Sequence, residues 1–228
     1  MAWWRRRRSD DAASAVTAAA RERGIPVVGT DDPVGVAIAM AALDYQRGEV
    51  DAAERAVIDL CRHRGQSAAM AMFRLGGPLE DIGDPDGAQT CYLKAVHGSD
   101  PEAKALAGLT LANLWVLRGQ PGPAERILAE VMESGHPEVG PKAAFNLGGL
   151  LASQHRYDEA MVALRRAVDS GHPDESPGAL TQLGAVLATL GRVEEAVAAF
   201  RQVIATGHPE FAAPAAACLA ELRGRAGG

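Results

Sequence analysis

Histidine binds metals and moves protons near neutral pH more readily than any other side chain, and this sequence repeats one. His136, His172 and His208 lie 36 residues apart, each inside a Gly-His-Pro string closed by Glu138, Asp174 or Glu210. Three histidines build a metal site only if their ring nitrogens come within about 2 Å of one ion. Equivalent loops of stacked helices stand roughly 8–10 Å apart. The spacing therefore predicts no shared metal and assigns the rings to local hydrogen bonds at helix ends. His63, His97 and His155 are isolated. Cys61, Cys91 and Cys218 are odd in number and lack CxxC spacing, so they suggest neither a disulfide framework nor zinc. Small buried thiols in a reducing compartment are expected instead. The chain has no Gly-rich phosphate loop, GxSxG elbow or HExxH motif. Its acidic residues fall mostly at helix starts, where they complement the dipole. No catalytic residue, metal or cofactor is assigned, and the chain is expected not to be an enzyme.

The histidines belong to a longer repeat. Pro101 is in register with Pro137, Pro173 and Pro209. Leu75, Leu111, Leu147 and Leu183 share one line of the 36-residue grid, and Gly76, Ala112, Gly148 and Gly184 share the next. Ala88, Ala124, Ala160 and Ala196 form a third line. An earlier copy fits after a one-residue slip, because Arg47-Gly48 and Ala53-Glu54-Arg55 match Arg118-Gly119 and Ala124-Glu125-Arg126. Five copies occupy residues 33–209.

Each copy reads as two helices. Asp32-Pro33, Asp100-Pro101 and Ser176-Pro177 pair a capping residue with proline in the first turn. Turns are expected near Gly48, Gly83, Gly119, His155 and Gly191. Second helices carry an acidic first turn, as in Asp158-Glu159 and Glu194-Glu195. Their apolar residues recur at helical spacing: Ala160, Leu164 and Ala167, then Ala196, Phe200 and Ile204. No alternating strand pattern appears. The fold class is all α, a right-handed solenoid of about five helix-turn-helix repeats with flanking helices.

These motifs resemble the tetratricopeptide repeat family, whose unit has a Leu-Gly pair with a large residue three further on, then Ala with an aromatic four further on. Leu147-Gly148 with Leu151, and Leu183-Gly184 with Leu187, resemble the first element. Ala160 with Leu164, Ala196 with Phe200, and Ala88 with Tyr92 resemble the second. Met72, Gly108, Ala144 and Leu180 stand where the family usually has Trp, and a period of 36 is also similar to that of its Sel-type relatives. The resemblance implies a non-catalytic scaffold that binds a peptide or helix of another protein in a groove lined by first helices. A helical wheel points Phe73, Gly77, Leu109, Asn113, Phe145, Asn146, Gly149, Thr181, Gln182 and Ala185 towards that groove. Asn side chains there suit the backbone of an extended peptide. Asn113 and Asn146 also match the two Asn of the family's carboxylate clamp. Its basic partners are absent, because Leu109, Gly178 and Gln182 occupy their places while Lys142 and Arg74 stand at neighbouring positions.

Composition agrees with close helix packing. The 228 residues are 47% hydrophobic but only 4% aromatic, and 45 are alanine. Small side chains let helices approach closely. Abundant Ala, Arg and Gly point to a GC-rich bacterial genome. The net charge of −6 would be −10 without Arg5, Arg6, Arg7 and Arg8, and an acidic body disfavours nucleic acid as the main partner. No uncharged apolar run of 18 residues occurs, nor a secretory signal at the start, so a cytoplasmic location is expected. The basic arm opens residues 1–32, which also hold an expected helix over 10–23 with Ala15, Val16, Ala19 and Ala20 on one side. Trp3, Trp4 and the four arginines offer an alternative function, a weak peripheral tether to anionic membrane or nucleic acid. Residues 210–228 are expected to form a closing helix over 210–223 followed by an unstructured tail.

Overall fold

A computed structural model describes residues 33–226, so the basic arm and the helix expected over 10–23 lie outside the described residues. Those described form eleven helices and no strand. In order they are α1 (Pro33–Gln46), α2 (Val50–Arg62), α3 (Ala68–Asp81), α4 (Pro85–Val96), α5 (Pro101–Leu117) and α6 (Pro121–Glu133). They continue with α7 (Val139–Ser153), α8 (Tyr157–Asp169), α9 (Glu175–Thr189), α10 (Val193–Thr206) and α11 (Ala212–Ala226). Odd-numbered helices are the first members of the repeats and even-numbered helices the second. The last helix runs on to Ala226, three residues beyond the expected end, taking in the start of the expected tail.

The chain divides into two compact units, one up to Leu111 and one from Ala112. In the first, α1 packs on α2, both pack on α3, and α3 packs on α4. In the second, α6 packs on α7, and α7/α8 and α9/α10 form hairpins. There α8 also packs on α9, α10 packs on α11, and the first helices touch one another in the series α7, α9, α11.

One grid line sets the closeness of each hairpin. Gly76 lies against the Tyr92 ring, Gly148 against Leu164 and Gly184 against Phe200. A Cβ on Gly184 would sit 2.7 Å from Phe200 Cε1, and one on Gly148 would sit 2.5 Å from Leu164 Cγ. Tyr92, Leu164 and Phe200 are almost wholly buried, so the absent methyl is what admits them. The expected turns are all left-handed: Gly48, Gly83, Gly119 and Gly191 have φ between +68° and +91°, and His155 has φ +61°. A non-glycine residue there is held at a steric cost of about 1–2 kcal/mol.

The Gly-His-Pro strings are helix starts. The His136 carbonyl accepts the N–H of Gly140 at 2.9 Å, the first i→i−4 bond of α7. His136 thus opens the turn that leads into α7, and Nδ1 of its ring accepts from the N–H groups of Glu138 (3.3 Å) and Val139 (3.2 Å), as a capping side chain does. His172 repeats this on Asp174 and Glu175, both at 3.3 Å, and His208 on Glu210 at 3.3 Å. Asp100, on the same grid line, accepts from Glu102 and Ala103 at 3.0 and 3.1 Å. Histidine here takes the role that aspartate takes in α5. The preceding residue but one closes the loop: Ser134, Ser170 and Thr206 hydroxyls donate to a carbonyl three residues back and accept the histidine N–H. The expected cap at Ser176 is corrected, because α9 already begins at Glu175 and the Ser176 hydroxyl instead donates to the Ala167 and Val168 carbonyls.

Candidate functional site

An accepting Nδ1 carries no proton, which leaves the ring proton on Nε2. In His172 that Nε2 donates to Glu138 at 3.3 Å, and the ring is buried. His136, His172 and His208 each serve their own helix, as expected for local hydrogen bonds. Among the described residues no three His, Cys, Asp or Glu side chains converge as a metal site. A cleft of about 430 Å³ opens beside the α6–α7 loop, lined by Met132, His136, Pro137, Pro141, Arg166 and Asp169. Arg166 is paired there with Glu133 at 2.7 Å and His136 is engaged in its cap, so no nucleophile–base pair is formed.

Burial governs the thiols. It pushes the Cys91 thiol up to about 12, and the Tyr45 hydroxyl that bonds it also up to about 12. Burial raises Cys61 as well. Thiols kept protonated in this way are poor nucleophiles.

The candidate groove residues fall on first helices in both units. In the first unit, Arg74 on α3 is exposed, while Phe73 is half-buried and its ring packs 6.1 Å from Tyr92. Phe73 therefore serves the α3–α4 hairpin. Gly77 and Leu109 also lie in the first unit, and the other candidates belong to the second. Asn113 lies near the end of α5, Lys142, Phe145 and Asn146 on α7, and Thr181 and Gln182 on α9. Asn146 Nδ2 donates to Asn113 Oδ1 at 3.1 Å, so the two amides meet across consecutive first helices. Gln182 lies over Gly149, whose Cβ would stand 3.2 Å from Gln182 Oε1. That oxygen is buried and has no hydrogen-bond partner. Phe145 and Phe211 both close over Gly178, with their ring edges 3.3 and 2.9 Å from where a Cβ would be. A long basic side chain at 178 would displace both rings, which explains why the clamp's basic residue is missing there. Thr181 is turned inward, its hydroxyl donating to the Pro177 carbonyl at 2.8 Å.

These contacts share a register absent from the helical wheel. Asn113 meets Asn146, Gly149 meets Gln182 and Gly178 meets Phe211, each 33 residues on. In the first unit Ser67 donates to Asp100, also 33 on. One first helix touches the next by this vector. The face of α7 and α9 so built carries amides (Asn146 and Gln182, with Asn113 of α5 bonded to the first), a half-buried cation (Lys142) and half-buried Phe145. Such a face can accept and donate backbone hydrogen bonds but has no acid–base pair.

The paired helices, the recurring loop and the small-residue line define an all-helical repeat protein. A family model described as Tetratrico peptide repeat matches residues 141–224. Over that stretch the chain is similar to the tetratricopeptide repeat family, and the match spans the Leu147-Gly148, Leu183-Gly184, Ala160-Leu164 and Ala196-Phe200 elements. Two crystal structures of MamA are similar in fold, with TM-scores of 0.52 and 0.53 at 21% and 19% identity. The alignments cover 71% and 75% of this chain and 90% of each MamA chain. BtubC (BKLC) from P. vanneervenii is similar with a TM-score of 0.56 at 20% identity, over 85% of this chain and 86% of its own. No curated protein matches the chain in sequence. Among the described residues no helix is long and apolar enough to cross a membrane. Trp3, Trp4 and Arg5 to Arg8 lie outside the described residues.

Proposed function

We propose that this chain is a non-catalytic interaction scaffold, and that the first-helix face of its second unit binds an extended segment of a partner protein. The observation that carries the reading is the Asn146–Asn113 bond at 3.1 Å on an exposed face. An amide pair of this kind retains a free carbonyl lone pair and free N–H groups, which suit the alternating donors and acceptors of a peptide backbone. Lys142, one turn before Asn146, supplies a single positive charge. The partner segment is therefore neutral to mildly acidic, and recognition is by backbone and shape more than by charge. Phe145 supplies the apolar contact.

Titrating a peptide from a captured partner into native chain and into Asn146→Ala tests this. The account expects roughly a tenfold loss, because one or two net hydrogen bonds are worth about 1–2 kcal/mol. Equal affinity for both chains would remove the face from the reading. The alternative, a chain tethered to anionic membrane through Trp3, Trp4 and Arg5 to Arg8, rests on composition alone. Equal sedimentation on anionic vesicles of the native chain and a variant with Arg5 to Arg8 replaced by Ser would rule it out.

A further inference from the structure

The cleft beside the α6–α7 loop has a counterpart one repeat further on, and the two differ at one residue. Position 140 belongs to a grid column that reads Lys104, Gly140, Ser176 and Ala212. In α9 the Ser176 hydroxyl donates to the Ala167 and Val168 carbonyls at the end of α8, at 3.0 and 3.3 Å. The matching carbonyls at the end of α6 belong to Val131 and Met132. A Cβ on Gly140 would stand 3.9 Å from each of them and meet nothing nearer. The Ser134 hydroxyl and N–H both go to the Val131 carbonyl, and no described residue donates to that of Met132. So α9 supplies its own donor to the preceding helix end, whereas α7 has only Gly140 there. Met132 and Gly140 both line the cleft of about 430 Å³, a volume within the usual range for small-ligand sites.

The surroundings select the donor. Carbonyls at the C-terminus of a helix carry partial negative charge and favour cations. Asp169 lines the cleft with an exposed carboxylate that no described side chain bonds. Arg166 is paired with Glu133 at 2.7 Å, and the His136 Nδ1 is taken up by backbone N–H groups. The Asp169 carboxylate is therefore the unmatched charge of the cleft. Met132, Pro137, Pro141 and Ala144 give it apolar walls.

We propose that this cleft binds a primary ammonium group carried on an aliphatic stem. The ammonium donates to the Met132 carbonyl and the Asp169 carboxylate, and the stem lies against the apolar walls. An ammonium has three N–H donors and no acceptor, which matches a carbonyl beside a carboxylate. Such a group comes from a free alkylamine or from a lysine side chain of another protein. The cleft shares no residue with the α7–α9 face, so this binding is independent of the peptide reading given to that face.

The test titrates pentylammonium chloride into the isotope-labelled full chain, with sodium chloride as the matched salt, and follows backbone amide shifts. Saturable shifts are expected at Gly135, His136, Gly140 and Ser170 in the millimolar range. Pentanol should bind several-fold more weakly and pentanoate not at all. Gly140→Ser, which copies α9, should keep native helicity and abolish the shifts. Asp169→Asn should weaken binding about threefold, the worth of one solvent-exposed charge partner. N-acetyl-lysine methylamide separates the two sources: binding like that of pentylammonium assigns the cleft to a lysine side chain, and exclusion assigns it to a free amine. Any of four results would overturn the proposal: no saturable shift with pentylammonium, equal affinity in Gly140→Ser, equal affinity in Asp169→Asn, or pentanol binding as tightly as pentylammonium.

Discussion

Gly76 and Gly77 are neighbours in α3, yet replacing each by alanine should move stability in opposite directions. Alanine gains about 1 kcal/mol over glycine in a helix interior. At Gly77 a Cβ meets nothing within 4 Å beyond its chain neighbours, and the helix gain is partly offset by crowding of that Cβ against the Pro78 ring, so Gly77→Ala should gain up to about 0.5 kcal/mol. At Gly76 the same atom would lie 2.2, 2.5 and 2.7 Å from three carbons of the Tyr92 ring. Tyr92 is 2% exposed, and the Phe73 ring and Glu80 flank it, so the ring has no free direction of retreat. Overpacking costs about 1–3 kcal/mol, and at such short distances the upper part of that range applies. Gly76→Ala should therefore lose about 1–2 kcal/mol net, leaving the neighbours about 1–2.5 kcal/mol apart. With a urea slope of roughly 2 kcal/mol/M, the two unfolding midpoints should separate by about 0.5–1 M. A Tyr92→Leu background should shrink the Gly76→Ala penalty, since Leu128 is the partner on the grid where Ala112 stands. Equal midpoints for both alanine variants, or a penalty unchanged by Tyr92→Leu, would refute the steric account of the small-residue line.

Three further outcomes are expected. His136→Ala should cost about 1 kcal/mol in urea unfolding while His136→Asp stays within a few tenths, because both His and Asp cap at this grid position; an equal loss for both would show that the cap is not the reason for the residue. His155→Gly should raise stability by about 0.5–1 kcal/mol, the relief at φ +61° outweighing the lost 2.8 Å contact of its Nδ1 with the Tyr157 hydroxyl; a destabilised variant would show the reverse. The Ser67 hydroxyl, with the Ala103 and Glu102 N–H groups, holds the Asp100 carboxyl below its usual range. Its contribution is thus present above about pH 4 and lost as pH falls through the lowered value, so Asp100→Asn should lose less stability than the native chain between pH 5 and pH 3, and identical pH profiles would contradict this.

The hairpins were legible because their signals are local. A glycine at Gly48, Gly83, Gly119 or Gly191 marks a left-handed turn within a few residues, and even His155 was found from its place on the grid. The histidine caps were only partly legible. A functional side chain invites a chemical role, yet the column Asp100, His136, His172 and His208 before proline contains the decisive clue, since aspartate before proline is a helix start. Ser176-Pro177 misled because it satisfies the same rule one turn later. The candidate face was least legible. Asn113 meeting Asn146 and Phe211 covering Gly178 depend on the 33-residue vector between first helices, which follows from how the hairpins stack and not from the period within any one helix.

The account centres on the α7–α9 face as the surface that meets a partner. A photo-crosslinking residue placed singly at Asn146 or Gln182, and for comparison at Arg126 or Arg201 on the exposed sides of α6 and α10, tests this in extracts of the native host. The account predicts that 146 and 182 capture the same protein, at overlapping peptides, while 126 and 201 capture neither. Capture of that protein from 126 or 201 and not from 146 or 182 would contradict it.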